Sequence, residues 1–349
     1  MDSDVVVTVV IVIILVLVTL FVITKIKQIS CSKCKSNEKP LVLIGDHIFK
    51  TTSIAPGKSE TLPAFLRNDG RIIVTASPPT ENMSFPTNYD TREVFKGWMT
   101  PVMDQGACGS CWAFSSCGVF GDRIKIATRC KDLFAGDFIS QFHLAACMKC
   151  GPNGTNKVCD TVCSGHYMDE VLQYLKTSGA YANSAISRAT NNGTQYICYS
   201  PTASQSPKLY KASQSYRVNP YAMGELSNIE KRAKNEYAIM YDLFKYGPVT
   251  ATIKVFDPVG ASELHKNFYL YTKGIYGTNW DRDPASSDGY HAIAIVGWGE
   301  ELVQNVPVKY WIIRNSWGTS WGQNGYGKII RGVNRAIIES DIWSMQYQG

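Results

Sequence analysis

The sequence predicts an α+β protein of two lobes behind a single N-terminal membrane-spanning helix. Three observations lead there. An uncharged run occupies Val5–Thr24. From about Phe85 to Tyr246 the apolar spacing is mainly helical, and beyond Pro248 it turns to the short, β-branched runs of strands; helices first and strands second mark an α+β chain. Finally, 349 residues with 45% hydrophobic and 18% charged side chains can bury a large core, which excludes a mainly disordered chain.

Charge and cysteine content narrow the function classes. The formal balance, 35 basic against 29 acidic residues, is mild and scattered, so no nucleic-acid partner is expected. Eleven cysteines are unusual for a reduced cytosolic enzyme, and their odd number leaves at least one thiol unpaired.

In chain order, residues 1–24 read as the anchor. The run VVVTVVIVIILVLVTLFVIT would cross a hydrocarbon core of roughly 30 Å as a helix. Asp2 and Asp4 before it, and the absence of a small-residue cleavage site after it, argue against a removable signal peptide. Lys25, Lys27, Lys33 and Lys35 would place the large C-terminal part in the cytoplasm by charge. The cysteines instead favour an oxidising, lumenal, extracellular or endolysosomal side, so the orientation stays open. Sequons at Asn82, Asn153 and Asn192 do not decide it, and Cys31 and Cys34 beside the membrane suit either acylation or pairing. Residues 25–84, rich in Lys, Ser, Thr and Pro, read as a connector with short apolar runs at Leu41–Ile44 and Ile72–Val74.

Residues 85–349 form the globular part. Cys111 to about Ile126 has amphipathic helical spacing, and further helices are expected at Tyr167–Leu175 and Tyr237–Tyr246, the last stopped by Gly247-Pro248. Strands are expected at Val249–Val255, Tyr290–Val296, Lys309–Arg314 and Gly327–Ile330.

Three separated segments carry chemistry. In Gln105-Gly106-Ala107-Cys108-Gly109-Ser110-Cys111-Trp112, Cys111 opens a helix, whose N-terminal partial charge favours a thiolate nucleophile. Its own N–H and the Gln105 amide can face a developing oxyanion. In Gly289-Tyr290-His291, the imidazole opens an apolar strand and can take the thiol proton and return it to a leaving amine. In Tyr310-Trp311-Ile312-Ile313-Arg314-Asn315-Ser316-Trp317-Gly318, Asn315 can accept a hydrogen bond from that imidazole and Trp317 can shield it from water. The string Cys108–Trp112 matches C-G-[SA]-C-[WY], the signature around the nucleophile of papain- and cathepsin-type peptidases.

Together these segments resemble the papain superfamily of cysteine peptidases, and within it the cathepsin B group. The resemblance spans about Phe85 to the end. It includes F-P-T-N-Y-D-T-R-E at 85–93, Gly121-Asp122-Arg123-Ile124, Tyr246-Gly247-Pro248-Val249, and Lys328–Gly332 followed by Ile338-Glu339-Ser340-Asp341. It implies a papain-like two-lobed fold, a helical left lobe against a β-barrel-like right lobe. Cys111 would be the nucleophile, His291 the acid/base, Asn315 the orienting residue and Gln105 an oxyanion donor. It also implies a Cys108–Cys163 disulfide. Cys150–Cys159 is a candidate small loop, pairing among Cys117, Cys130, Cys147 and Cys198 stays open, and a zinc site on Cys147, Cys150, Cys159 and Cys163 is the alternative. A family disulfide is absent, its two positions falling at Lys96 and Lys125.

Departures refine the expectation. None of the five histidines lies at 181–225, where cathepsin B carries a carboxylate-binding paired-histidine loop, so endopeptidase cleavage is favoured. The family's substrate-docking Gly-Gly becomes Gly165-His166, and Asp341 aligns with the acidic floor of the specificity pocket, with a solvated surface acid as its other reading. By resemblance residues 25–84 are a propeptide of a zymogen, cleaved near Phe85. A monomer acting on protein or peptide substrates is expected, with no cofactor or metal. The other function classes are an inert protease-shaped binding protein at a membrane and a zinc-stabilised module.

Overall fold

The computed structural model describes residues 42–44, 47–49, 64–66, 72–74, 83–150, 162–186, 198, 207–255, 267–278, 283 and 289–348. The expected anchor, Cys31, Cys34, Cys159, the three sequons and the side chain of Cys150 lie outside them. No helix among the described residues is long and apolar enough to cross a membrane. Two compact units divide the chain, Met1–Ile54 and Ala55–Gly349. The first contains an antiparallel hairpin of β1 (Val42–Ile44) and β2 (His47–Phe49). The second opens on another, β3 (Ala64–Leu66) with β4 (Ile72–Val74). Both fall where the sequence promised only a connector.

The rest of the second unit carries the expected helices before the expected strands. After β5 (Tyr89–Asp90) and a short turn α1 (Thr91–Val94) come α2 (Cys111–Thr128), α3 (Gln141–Cys150) and α4 (Met168–Thr177). A two-stranded ladder, β6 (Ala180–Tyr181) with β7 (Leu209–Tyr210), precedes β8 (Gln214–Arg217) and α5 (Ile229–Tyr246). Then come β9 (Val249–Val255), β10 (Ile275–Tyr276), β11 (Gly289–Val303), β12 (Val306–Arg314), β13 (Tyr326–Ile330) and β14 (Ile342–Gln346). One sheet runs β10-β13-β12-β11-β9-β14-β8, with β5 added to β11. Only the β10–β13 pair is parallel.

Two hydrophobic clusters correspond to the two lobes, and β11 serves both. Ala292, Ala294 and Val296 enter the cluster built on α2, α3 and α4, whereas Ile293 and Ile295 enter the one built on α5 and the sheet. The cause is the two-residue period of a strand. Small alanines on the helix-facing side let α2 approach closely enough for Ser115 Oγ to donate to Ile293 O at 2.7 Å.

Helix α3 has no counterpart in the helices expected from the sequence, and two further helices depart from expectation. The spacing of α2 reads as amphipathic, yet every residue from Trp112 to Lys125 is buried. Two of its three charged residues are paired inside, Arg123 with Asp242 and Asp122 with Arg314, while Lys125 Nζ has no hydrogen-bond partner among the described residues. Helix α5 begins eight residues before the expected Tyr237, because Asn228 caps it by accepting from the Glu230 and Lys231 amides. It ends where expected, at Gly247 (φ 106°), where a Cβ would lie 2.5 Å from Ile126 Cδ1. The chain can turn there only without a side chain.

Candidate active site

The turn before α2 is shaped by close contacts. Gly109 passes so near Cys163 that a Cβ would lie 2.3 Å from its carbonyl oxygen. Beside it the expected Cys108–Cys163 disulfide is formed, with Cα atoms 4.6 Å apart. Cys111 comes next as the first residue of α2, a half-buried free thiol.

His291 comes from the opposite lobe, 5% exposed on β11. Antiparallel pairing of β11 with β12, with Ala294 opposite Arg314, carries Asn315 past the strand end to the imidazole. His291 Nε2 lies 2.7 Å from Asn315 Oδ1. A carbonyl oxygen only accepts, so Nε2 carries the ring proton and Nδ1 is left as the base. The Ser316 amide also donates to Asn315 Oδ1, at 2.8 Å, which holds the side-chain amide against flipping. Trp317 stacks on the imidazole, centroids 4.6 Å apart and planes 30° apart, and Tyr269 stacks on Trp317 at 5.1 Å and 5°. The water-excluding role expected of Trp317 thus rests on a second aromatic that sequence reasoning missed.

Cys111 and His291 line one cleft of about 440 Å³ together with Gln105, Gly109, Tyr269, Tyr290 and Trp317. Burial pushes the Cys111 thiol above its usual range, against the pull of the Ala292, Trp112 and Cys111 backbone N–H groups. Burial also depresses His291 to about 4, opposed by its bond to Asn315. Each charge taken singly is therefore disfavoured. Created together by transfer of one proton across the cleft, the two charges would attract and offset part of that cost.

Gln105 is held on both sides. Its Oε1 accepts from Ser316 Oγ at 2.5 Å and its Nε2 donates to Cys108 O at 2.8 Å. A primary amide has two N–H groups, so one remains for an oxyanion beside the Cys111 amide. Ser316, adjacent to Asn315, is a positioning residue the sequence showed without revealing its partner.

The remaining candidates are more scattered. His166 Nδ1 pairs with Glu170 at 2.8 Å, and its ring meets the edge of Trp112, the residue after Cys111, at 5.2 Å. Gly165 O accepts from Lys149 Nζ at 3.2 Å. Asp341 has both carboxylate oxygens engaged, accepting from Thr252 Oγ1 at 2.6 Å and Trp343 Nε1 at 2.7 Å. Cys147 bonds to Cys198, the pairing left open by the sequence, while Cys117 and Cys130 are buried thiols. The tetrathiolate zinc alternative is overturned, since Cys147 and Cys163 are each bonded elsewhere. His143 Nε2 lies 3.3 Å from Cys147 Sγ, but the Cys147 and Cys198 sulfurs are bonded to each other and offer no thiolate to a cation.

Comparison with known proteins agrees with this geometry. Residues 85–346 match the family model described as papain family cysteine protease. The chain is 33% identical over 266 residues to cathepsin B-like CP1 of Giardia intestinalis, covering 74% of this chain and 73% of that protein. It is 29% identical over 289 residues to tubulointerstitial nephritis antigen of Bos taurus, covering 76% of this chain and 53% of that protein. Among solved structures, proCathepsin B S9 from Trypanosoma congolense superposes with a TM-score of 0.58 at 23% identity, over 82% of this chain and 87% of that one, a likeness of fold.

Proposed function

Since the chain belongs to the papain family of cysteine proteases, we propose that it is a cathepsin B-like cysteine endopeptidase cutting proteins or peptides through a thioester acyl-enzyme. The observation that carries this reading is a free Cys111 at a helix start, sharing a cleft with an imidazole whose far nitrogen lies 2.7 Å from Asn315.

The geometry supports acylation and then hydrolysis. His291 Nδ1 takes the Cys111 proton as sulfur attacks the scissile carbonyl. Negative charge moves to the carbonyl oxygen, received by the Cys111 N–H and the free N–H of Gln105. The C–N bond breaks and the imidazolium gives its proton to the leaving amine. Water, deprotonated by the same nitrogen, then releases the acid and restores the thiol. Asn315 keeps Nδ1 aimed at sulfur throughout.

Lack of a histidine at 181–225 favours endopeptidase over carboxydipeptidase action. We further propose that Val5–Thr24 anchors the chain, that the peptidase faces an oxidising compartment suited to the two disulfides found among the described residues, and that cleavage near Phe85 removes an inhibitory segment. The printed name of the Bos taurus relative, an antigen rather than a peptidase, keeps an inert binding protein as the second reading.

A thiol-directed peptidyl epoxide combined with peptide mapping tests the proposal. Labelling at Cys111, lost together with peptide cleavage in Cys111→Ala, is expected. Undiminished cleavage by Cys111→Ala would reject it. N-terminal sequencing of the active form and alkaline extraction of membranes test processing and anchoring separately.

A further inference from the structure

Beside Asn315 lies a small cavity of about 20 Å³ between α2, the start of α3 and the β11–β12 ladder. Thr100, Ser115, Gly118, Gln141, Arg314 and Asn315 contribute to its wall. Gln141, Arg314 and Asn315 are 2%, 6% and 3% exposed. Each carries an N–H group without an acceptor among the described residues: Gln141 Nε2, Arg314 Nη2 and Asn315 Nδ2. Arg314 Nη2 occupies the space left by a missing side chain, since a Cβ on Gly118 would lie 2.7 Å from it. The wall hydroxyls have already donated their hydrogens, Thr100 to Gly118 O at 3.2 Å and Ser115 to Ile293 O at 2.7 Å.

The one charged side chain in the wall is a cation. Arg314 pairs with Asp122 at 2.9 Å. Beside that pair, Lys125 is fully buried and its Nζ has no hydrogen-bond partner among the described residues. Asp137 also acts on Lys125, but from a half-exposed position where water screens it. Burial, with the nearby Arg314 charge, lowers the Lys125 pKa, so the guanidinium of Arg314 is the cation that lines the cavity.

We propose that this cavity is a binding site for a small monovalent anion, chloride in ordinary solution, held by the side-chain N–H groups of Gln141, Arg314 and Asn315. A buried unmet N–H is costly. One water offers two lone pairs to three donors and must place two hydrogens of its own, whereas a spherical anion accepts all three, one of them from the Arg314 guanidinium. A cavity of this size admits such a guest. The anion would fix Asn315 with Nδ2 inward and Oδ1 on His291, so the site acts on the imidazole through Asn315. Binding stands on these residues whether or not the chain is active; the effect on rate rests on the proposed peptidase reading.

The test uses the full chain carrying Cys111→Ser, in detergent, so that autolysis plays no part. Its melting temperature is measured in sodium bromide or chloride against sodium gluconate at equal ionic strength, and bromide-soaked crystals are inspected for anomalous scattering. A saturable rise of several degrees and a bromide peak among the three nitrogens are expected. Gln141→Leu should abolish both. Gln141→Glu, which supplies a resident negative charge, should abolish the halide response while keeping the fold if the leucine variant does not fold. In the active chain, exchanging halide for gluconate should lower kcat three- to tenfold with little change in KM. Identical melting in halide and gluconate, with a cavity that scatters as water, overturns the proposal. An inert chain that still shows the melting response and the bromide peak would instead overturn only the peptidase reading.

Discussion

Replacing Gln105 by alanine tests the oxyanion geometry most directly. In the proposed mechanism two donors serve the oxyanion, the Cys111 backbone N–H and one N–H of Gln105, and the variant deletes the second without touching the thiol or the imidazole. Loss of one such donor lowers kcat by about 10²–10³, or ~2.7–4 kcal/mol of transition-state stabilisation. KM should change little, because the charge that Gln105 receives exists only in the transition state. The structure adds a finer expectation. Ser316 Oγ donates to Gln105 Oε1 at 2.5 Å, and this clamp aims the amide. Ser316→Ala removes one neutral hydrogen bond worth about 1 kcal/mol, so kcat should fall about fivefold. Because the hydroxyl acts through Gln105, the double variant should be no slower than Gln105→Ala alone, a coupling of about 1 kcal/mol. A fluorogenic peptide assay with kcat and KM resolved for the four proteins measures this cycle. If Gln105→Ala stays within about twofold of the parent, or if the two losses multiply, the assigned roles are wrong.

Burial and covalent links set further outcomes. In Cys111→Ala the imidazole has no thiolate partner, so burial, opposed by the bond to Asn315, sets His291 at about 4 in the folded chain, below its unfolded value of about 6.5. The unfolded state then binds the extra proton between these values. Stability should be full above about pH 6.5 and fall by about 3 kcal/mol as pH drops through 4, a fall missing from Cys111→Ala/His291→Gln in denaturant titrations. Cys198→Ser opens a bridge of sequence separation 51 and should cost about 4 kcal/mol in non-reducing urea unfolding. Asp242→Ala leaves the Arg123 guanidinium buried without its carboxylate, also stranding the Tyr216 hydroxyl that donates at 2.7 Å. A loss of about 3–5 kcal/mol is expected in the same assay, and a loss under 1 kcal/mol would refute the account of how α2 tolerates internal charge.

The chemistry of the site is written locally, which is why so much of it is legible in the sequence. Cys111 owes its role to Gly109, which permits the close turn, and to the helix it begins. His291 and Asn315 sit at strand ends bounded by glycine, and the β-branched runs around them announce those strands. The alternation of β11, small residues toward α2 and isoleucines toward the sheet, is likewise plain in Ala292–Ile295. Even the early start of α5 has a local sign in Asn228, though the polar turn after it hides the helix from a reading based on apolar spacing.

Tertiary structure alone decided what depends on partners far along the chain. Cys198 had several cysteines open to it, and only the packing of α3 brings Cys147 within bonding distance. The charges of α2 look solvent-facing until Asp242 and Arg314 arrive from elements more than one hundred residues away. Ser316 reads as a turn residue until β12 delivers it to Gln105, and Tyr269 as a loop residue until it covers Trp317. Local propensity and spacing act over a few residues of backbone, so sequence by itself determined the reactive groups and the elements bearing them. Burial, pairing and charge balance depend on contacts for which many sequence-distant residues compete, and only the folded chain selects among them.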